Sequence, residues 1–593
     1  MIRPCAQKFG ACPRSSASRK TGAIVQTATA DRQETTRKIN LARLSLDLYQ
    51  KVLIGLVAVG AFLRFFLIAD KSIWLDEAFS IVISQRSLFD ILSMVVRTDT
   101  RPPLYYFLLK FWMIFGSSEA QVRSLSAIFS IAAIPLMYMV ASSLFEDRRA
   151  GLMGAAILAF SPFQIWYAQE TRMYAMLTFF VLASAYCFIQ ALRQGTRNYW
   201  VGYVITTSLA LYTDNGAIWY VASISIFFLF AHRRFSKRLA GWLVSNIALG
   251  LIYLPWLPFF FHQTQQVTES FWLPPPSFET VLSAFLDFQS YNFPLIEISI
   301  LYLTTIFVWA FIVPRKSWQR QLASLWLFLP LLASLLLSLR RPIFLSRNLI
   351  AASLGYYLLV IATILKFNSR RAVLAFLLPL LAMNLVSIGR DAWVIQNEDW
   401  RDAAKYVASA ASGKEGALVV FIPGYAELPF QYYFKQYHQF VYTQGYPGDE
   451  LLLHPKPKEV QDLDQLFSGH PYVWLVMRDP ATVDPDSKVK GWLDTHGYMR
   501  SPDFLGPDVS VLTYVRWDKV PANRLSGEPG RFKVYLPSIY RIPGMQVYVV
   551  KKGETLLEIA VRNNVTVADL MNANGIKNPT SLHAGQTLLI PIR

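Results

Sequence analysis

Apolar residues in this chain come in long runs up to about Ile388 and in short alternating or helically spaced groups after it. The first run, Val52 to Ile68, is almost wholly apolar. Its successors are each close to the ~20 residues that carry a helix across a bilayer. One run departs from the pattern. Leu104 to Phe115 is short, follows Pro102 and Pro103 and ends at Gly116, which predicts a helix lying along the membrane surface. About eleven transmembrane helices remain, over residues 51–390. From Asp391 the texture changes. "EDWRDAAKYVASAA" has helical apolar spacing and "GALVVFI" and "PYVWLVMR" are short β-rich runs, so a small α/β domain is predicted over 391–514. Residues 515–545, with repeated Pro, Arg and Gly, read as a linker, and 546–593 as a separate module. That module opens and closes with β runs around two helices. Thr555 and Thr566 are their predicted N-caps, and Glu558 completes a capping box on the first.

Composition agrees with a membrane protein: 53% of residues are hydrophobic and only 16% charged. A net charge of +18 raises the possibility of nucleic acid, but the placement of the basic residues argues otherwise. They fall between alternate apolar runs, at Arg148 and Arg149, Arg193 and Arg197, Arg233 to Arg238, Arg315 to Arg320, and Lys366 to Arg371. By the positive-inside rule those loops are cytoplasmic, and no nucleic-acid partner is expected. The polar segment 1–50 lacks an apolar stretch and reads as a disordered cytoplasmic tail rather than a signal peptide. The longest intervening loop, His262 to Phe293, contains no Lys or Arg. Parity therefore places it, and everything after residue 390, on the opposite side. Cys5, Cys12 and Cys187 cannot supply a disulfide framework or a metal site.

The same parity gathers four polar stretches on the outer side: "WLDEAFS", "YAQETRMYA", "LYTDNGAIWY" and "LRRPIFLSRN". In the last, Arg340, Arg341 and Arg347 stand where positive charge should be scarce. Guanidinium forks match phosphate oxygens and keep their charge in poorly hydrated surroundings, so the cluster suggests a bound phosphate. "WLDEAFS" adds Asp76 and Glu77. Adjacent helical residues point about 100° apart, so the two acids should have different roles. A carboxylate and arginines on one side supply a base and charge compensation for an anion.

"IWLDEAFS", "TRPPLYYFLLKFW", "FGSSEAQVRSLSAIFSI", "QETRMYA", "LSRNLIAAS" and "EDWRDAAKYV", in that order, resemble the GT-C superfamily of membrane glycosyltransferases, in its protein-mannosyltransferase and aminoarabinose-transferase branch. The resemblance implies a multi-pass enzyme of the cell (inner) membrane that moves a sugar, with inversion, from a polyprenyl-phosphate carrier to an acceptor on the outer face. It implies Asp76 as the base and Glu77 as an orienting group for the donor or a basic partner. Arg101 would hold the carrier phosphate or an acceptor; Glu170, Arg172 and Tyr174 would contribute to substrate binding, with Arg340, Arg341 and Arg347 on the phosphate. No metal ligand is assigned, and participation of a divalent metal is left open. Tyr105 and Tyr106 read as interfacial aromatics. Two positions depart from the family: Thr100 stands where some members have an acid before a Lys, and Asp214 and Asn215 where related chains often have a His, so "TDNG" reads as a turn. The final module, Val547 to Ile592, is similar to a LysM domain, which implies binding of N-acetylglucosamine polymers such as peptidoglycan or chitin. The competing class is a non-catalytic GT-C-like protein or transporter tethered to the wall. Transporters concentrate ionisable residues at the bilayer midplane, whereas here they gather at the outer ends.

Overall fold

The computed structural model describes residues 47–270, 275–312, 317–340, 343–367, 369–393 and 398–411, with parts of 414–519 and of 545–591. Expectations for residues 1–46, the linker 520–544, Arg341 and Thr566 lie outside the described residues. The chain divides into two units, 1–56 and 57–593. Of the first, only 47–56 is described, mostly as the opening turns of α1.

The membrane part begins with α1 (Leu48–Phe65), α2 (Leu75–Ser84), α3 (Leu88–Thr98), α4 (Leu104–Trp112), α5 (Glu119–Phe145), α6 (Arg148–Phe160) and α7 (Pro162–Ala168). It continues through α8 (Tyr174–Gln194), α9 (Arg197–Thr213), α10 (Ala217–Ala231), α11 (Leu239–Tyr253) and α12 (Leu257–Ser270). It ends with α13 (Phe278–Ser290), α14 (Ile296–Ile312), α15 (Trp318–Ser338), α16 (Ile350–Ile364) and α17 (Arg370–Trp393). Among the described residues, six helices are long and apolar enough to cross a membrane, or up to eight if each of two bent pairs is one span. Leu104–Phe115, Ala217–Ala231 and Ile296–Ala310 are shorter apolar helices. The chain is a multi-pass membrane protein.

One bend shows how sequence sets the path toward the site. α6 and α7 meet at 56°. Pro162 has no N–H to donate to the carbonyl of Leu158, so the first helix stops, and Ser161 caps the next by accepting from Gln164 N. Arg64, fully buried, supplies the missing donor: Nη2 reaches Leu158 O at 2.9 Å and Nη1 reaches Ala159 O at 3.1 Å. Nη1 also donates to Gly60 O, and Nε to Ser130 Oγ at 2.7 Å. A buried guanidinium is thus satisfied by carbonyls that the proline left open.

Behind the site, α15 and α16 approach so closely that a Cβ on Gly355 would lie 2.7 Å from Leu327 N and 3.0 Å from Trp326 C. Trp326 Nε1 donates to Ala351 O at 2.9 Å across the same contact. A small residue at that crossing lets the two backbones meet.

The small domain is a mixed five-stranded sheet in the order β2-β1-β3-β5-β4. Its parts are α18 (Trp400–Ala411), β1 (Ala417–Ile422), α19 (Glu427–Phe434), β2 (Tyr442–Gly445), α20 (Leu463–Phe467), β3 (Tyr472–Met477), α21 (Lys488–Thr495), β4 (Tyr498–Leu505) and β5 (Ser510–Arg516). β1 runs parallel to β2 and β3, and β5 antiparallel to β3 and β4. Alternate strand residues Leu418, Val420, Val473, Leu475 and Leu512 join Val489 and Leu493 of α21 in one core. In α18, buried Trp400, Ala403, Ala404, Val407, Ala408 and Ala411 form a single helical face. Arg401 and Tyr433 help to hold the domain at the end of the bundle where α2 begins. Arg401 pairs with Glu119 at 2.5 Å and reaches Ala69 O at 2.8 Å, while Tyr433 OH donates to Glu119 and accepts from Ile73 N.

In the last module β6 (Met545–Val549) pairs antiparallel with β7 (Thr587–Pro591), Val547 opposite Leu589. α22 (Leu556–Arg562) carries the capping box: Glu558 N donates to Thr555 Oγ1 at 3.3 Å and Thr555 N to Glu558 Oε2 at 2.9 Å. Leu556, Ile559, Ala560, Leu570 and Leu588 make its core.

Candidate active site

The two acids of "WLDE" fall in the first turn of α2 and part company, as their angular separation requires. Glu77 is fully buried and takes the fork of Arg123, Nε at 2.8 Å and Nη2 at 2.6 Å. The same guanidinium donates to the carbonyls of Ile68, Lys71 and Ser72. Glu77 also accepts from Thr171 N at 2.8 Å. It therefore ties α2, α5, the 68–72 loop and the 170–172 turn together. Of its two expected partners, donor or cation, the structure gives it the cation.

Asp76 faces the arginines. Arg347, in the short 3-10 turn Ser346–Leu349 that leads into α16, places Nη1 3.3 Å from Asp76 Oδ2. Burial pushes the Asp76 carboxyl up, but the guanidiniums of Arg347, Arg172, Arg101 and Arg478 outweigh it and hold the group below its ordinary value. It stays ionised.

Arg172 and Glu170 are not each other's partners. Arg172 Nη1 lies 3.1 Å from Ser80 Oγ and 3.4 Å from both Asp76 O and Tyr106 OH. Tyr106 OH donates in turn to Asp99 Oδ2. Tyr105 and Tyr106 are thus fully buried rather than interfacial, a correction with a clear cause: each hydroxyl has a polar partner inside the bundle, Ser126 for the first and Asp99 for the second. Arg101 is held from two sides, Nη1 on Asp214 Oδ2 at 2.5 Å and Nη2 on Asn348 Oδ1 at 2.6 Å, with its guanidinium 5.9 Å from the Tyr174 ring centre. Asp214 is accordingly buried, and the "TDNG" segment does more than turn: Asn215 Nδ2 donates to Thr100 O at 2.8 Å. Arg340 is exposed one residue past the C-cap of α15 and does not join this network; Arg341 lies outside the described residues.

Glu170 accepts from Trp166 Nε1 at 2.8 Å, and Lys71 Nζ sits 3.6 Å over that indole. Burial, then the neighbouring Glu77 carboxylate and Asp76, push Glu170 up to about 8, against the opposing pull of Arg347 and Trp166. At neutral pH it carries a proton.

Of these groups, Trp166, Glu170 and Arg347 border a cavity of about 280 Å³. The membrane part contributes Trp74, Trp166, Glu170 and Arg347 to its wall, and the small domain contributes Glu398 and Asp508. Glu398 is fixed by Arg478 at 2.5 Å and Trp400 Nε1 at 2.6 Å. Sequence reasoning missed Asp99, Arg123, Asp214, Glu398 and Asp508. For Arg123 there was a signal, a lone charge early in a long apolar run, which needs a buried partner. Among the described residues no group of three or more His, Cys, Asp or Glu could hold a metal ion.

Residues 100–258 match the family model of dolichyl-phosphate-mannose-protein mannosyltransferases, and residues 548–591 match that of LysM domains. The crystal structure of ArnT from Cupriavidus metallidurans in the apo state is similar at 13% identity and a TM-score of 0.54, over 78% of this chain and 97% of that one. The chain has a GT-C fold. The undecaprenyl phosphate-bound structure of ArnT from the same organism matches this chain at 14% identity and a TM-score of 0.51, with the same coverage. Outside the GT-C part, the cortical fragment-lytic enzyme of Bacillus subtilis (strain 168) is 52% identical over 48 residues, 8% of this chain. The chain spans only 11% of the length of that curated relative.

Proposed function

We propose that this protein is an inverting glycosyltransferase that moves a sugar from a polyprenyl-phosphate carrier to an acceptor on the outer face of the membrane, with its LysM domain binding peptidoglycan or a related glycan. The observation that supports it most is the ionised Asp76 carboxylate 3.3 Å from Arg347, itself part of the wall of the cavity. The GT-C fold and the undecaprenyl phosphate bound by its ArnT neighbour favour a lipid-linked donor.

In the proposed reaction the acceptor hydroxyl oxygen attacks the anomeric carbon as the bond to the carrier phosphate breaks. The leaving electron pair goes to the phosphate oxygen and the hydroxyl proton to Asp76. One displacement inverts the centre and needs a single base, unlike retaining hydrolysis through paired carboxylates. A carboxylate held low by guanidiniums is ionised but weakly basic. A donor phosphate that draws Arg347 onto its own oxygens would leave Asp76 with one cation fewer and raise its basicity when substrate is present. Glu77, locked to Arg123, positions α2 and does not touch substrate.

Purified full-length protein, given undecaprenyl phosphates that carry labelled monosaccharides together with cell-envelope acceptors, should release undecaprenyl phosphate and label an acceptor. Binding of these carriers without turnover for any sugar and acceptor would favour the non-catalytic alternative.

A further inference from the structure

Two of the residues that border the cavity each carry a polar atom with no partner among the described residues. Among the described residues, Trp74 Nε1 and Glu170 Oε2 are buried and lack hydrogen-bond partners, although both side chains border the same cavity. Glu170 as a whole is only 6% exposed. An unsatisfied buried polar group is costly, on the order of the desolvation it suffered, so two on residues that border one cavity point to a ligand that completes them.

Their chemistry restricts that ligand. An indole N–H only donates. A neutral carboxyl, which Glu170 is near pH 7, can donate through one oxygen and accept through the other. Its Oε1 is already taken by Trp166 Nε1, which fixes the direction of Oε2. With Oε1 accepting from Trp166, the proton of the neutral carboxyl is on Oε2, so both atoms donate; a phosphate oxygen could accept from them, but the phosphate is already matched by the charged guanidinium of Arg347 beside it. A polyhydroxylated ring serves both atoms, since each hydroxyl donates and accepts. A cavity of about 280 Å³ lies at the floor of the ~300–1,000 Å³ range of sites for drug-sized molecules, enough for one small ring. Trp74 also lies next to the phosphate candidate: the Arg347 guanidinium is 5.7 Å from its ring centre. A group bonded to Trp74 and Glu170 would therefore be adjacent to one bonded to Arg347, as a sugar is to the phosphate that carries it.

We propose that Trp74 and Glu170 grip the sugar of the donor, while Arg347 holds the carrier phosphate, so that the first two residues determine which sugar is transferred. This rests on the carrier-dependent transferase reading above. Arg347 meets the part that all such donors share, and Trp74 and Glu170 meet the part that differs between them.

The test is equilibrium binding of detergent-purified full-length protein to bare undecaprenyl phosphate and to undecaprenyl phosphates bearing a hexose, an N-acetylhexosamine or an aminopentose. Wild type should bind at least one loaded carrier more tightly than the bare one. Trp74→Phe and Glu170→Leu should each reduce that preference about tenfold while affinity for bare carrier stays within about twofold. Arg347→Ala should weaken bare and loaded carriers alike. Unchanged affinity for the bare carrier also shows that the variants are folded. The proposal is overturned if both variants keep the wild-type preference, if they lose bare and loaded carriers equally, or if no loaded carrier outbinds the bare one. Failure of wild type to bind any of these carriers would instead overturn the transferase reading on which it rests.

Discussion

At the scale of single residues the account turns on how Asp76 and Arg347 share one contact. Asp76→Asn keeps the shape but cannot take a proton, so turnover should fall about 10²- to 10⁴-fold with donor affinity nearly intact. Full turnover by the variant would remove Asp76 from the chemistry. Arg347→Ala should weaken donor binding about 10- to 100-fold, and Arg347→Lys less, because an ammonium keeps the charge without the fork. Glu170 gives a pH test. Its folded-state value, about 8, is above the ordinary 4.5, so the folded chain retains a proton that the unfolded chain gives up. Stability contributed by this group is complete below about 4.5 and is lost as pH rises toward 8. Glu170→Gln should therefore gain thermal stability over wild type progressively across that window, and match it below. A constant difference from pH 4 to 9 would contradict the assignment. Asp76 and Arg347 were legible from motif and parity, because each occupies a segment whose charge is unusual for its place. Arg101 was legible, but its partner Asp214 was not: the two are 113 residues apart, and nothing local tells a buried aspartate from one in a turn.

Elements determine whether those residues meet. Arg347 and Asn348 stand at the head of α16, and α16 is set by its contact with α15 at Gly355. Gly355→Val would force the backbones apart, costing about 1–3 kcal/mol by overpacking. The purified variant should melt lower and transfer more slowly, whereas Gly389→Ala, where an added Cβ meets nothing within 4 Å, should do neither. The bend between α6 and α7 works similarly. Arg64→Leu leaves the carbonyls of Leu158 and Ala159 without their donor, and lower stability and activity are both expected. Long apolar periods made the helices readable, and β-rich runs the strands. The docking of the small domain was not readable, since Arg401, Glu119 and Tyr433 look like ordinary surface residues until the contact brings them together.

For the whole molecule, the membrane part and the small domain together build the cavity, because Glu398 and Asp508 come from beyond the last span. The small domain was predicted from sequence, but not the acids it brings, which depend on tertiary position alone. The LysM domain has its own core and capping box, and none of its described residues is part of the cavity wall. Deleting residues 547–593 should leave transfer to a soluble or lipid acceptor intact and abolish retention on purified peptidoglycan, since the module adds local concentration rather than a catalytic group. Loss of transfer on deletion would overturn that division of labour. The central claim is that the donor phosphate takes Arg347 from Asp76. Its most direct test is a structure of the full-length protein with undecaprenyl phosphate bound. The account predicts the phosphate within hydrogen-bonding distance of the Arg347 guanidinium and the contact with Asp76, now 3.3 Å, opened. A phosphate seated elsewhere, with Asp76 and Arg347 still paired, would contradict it.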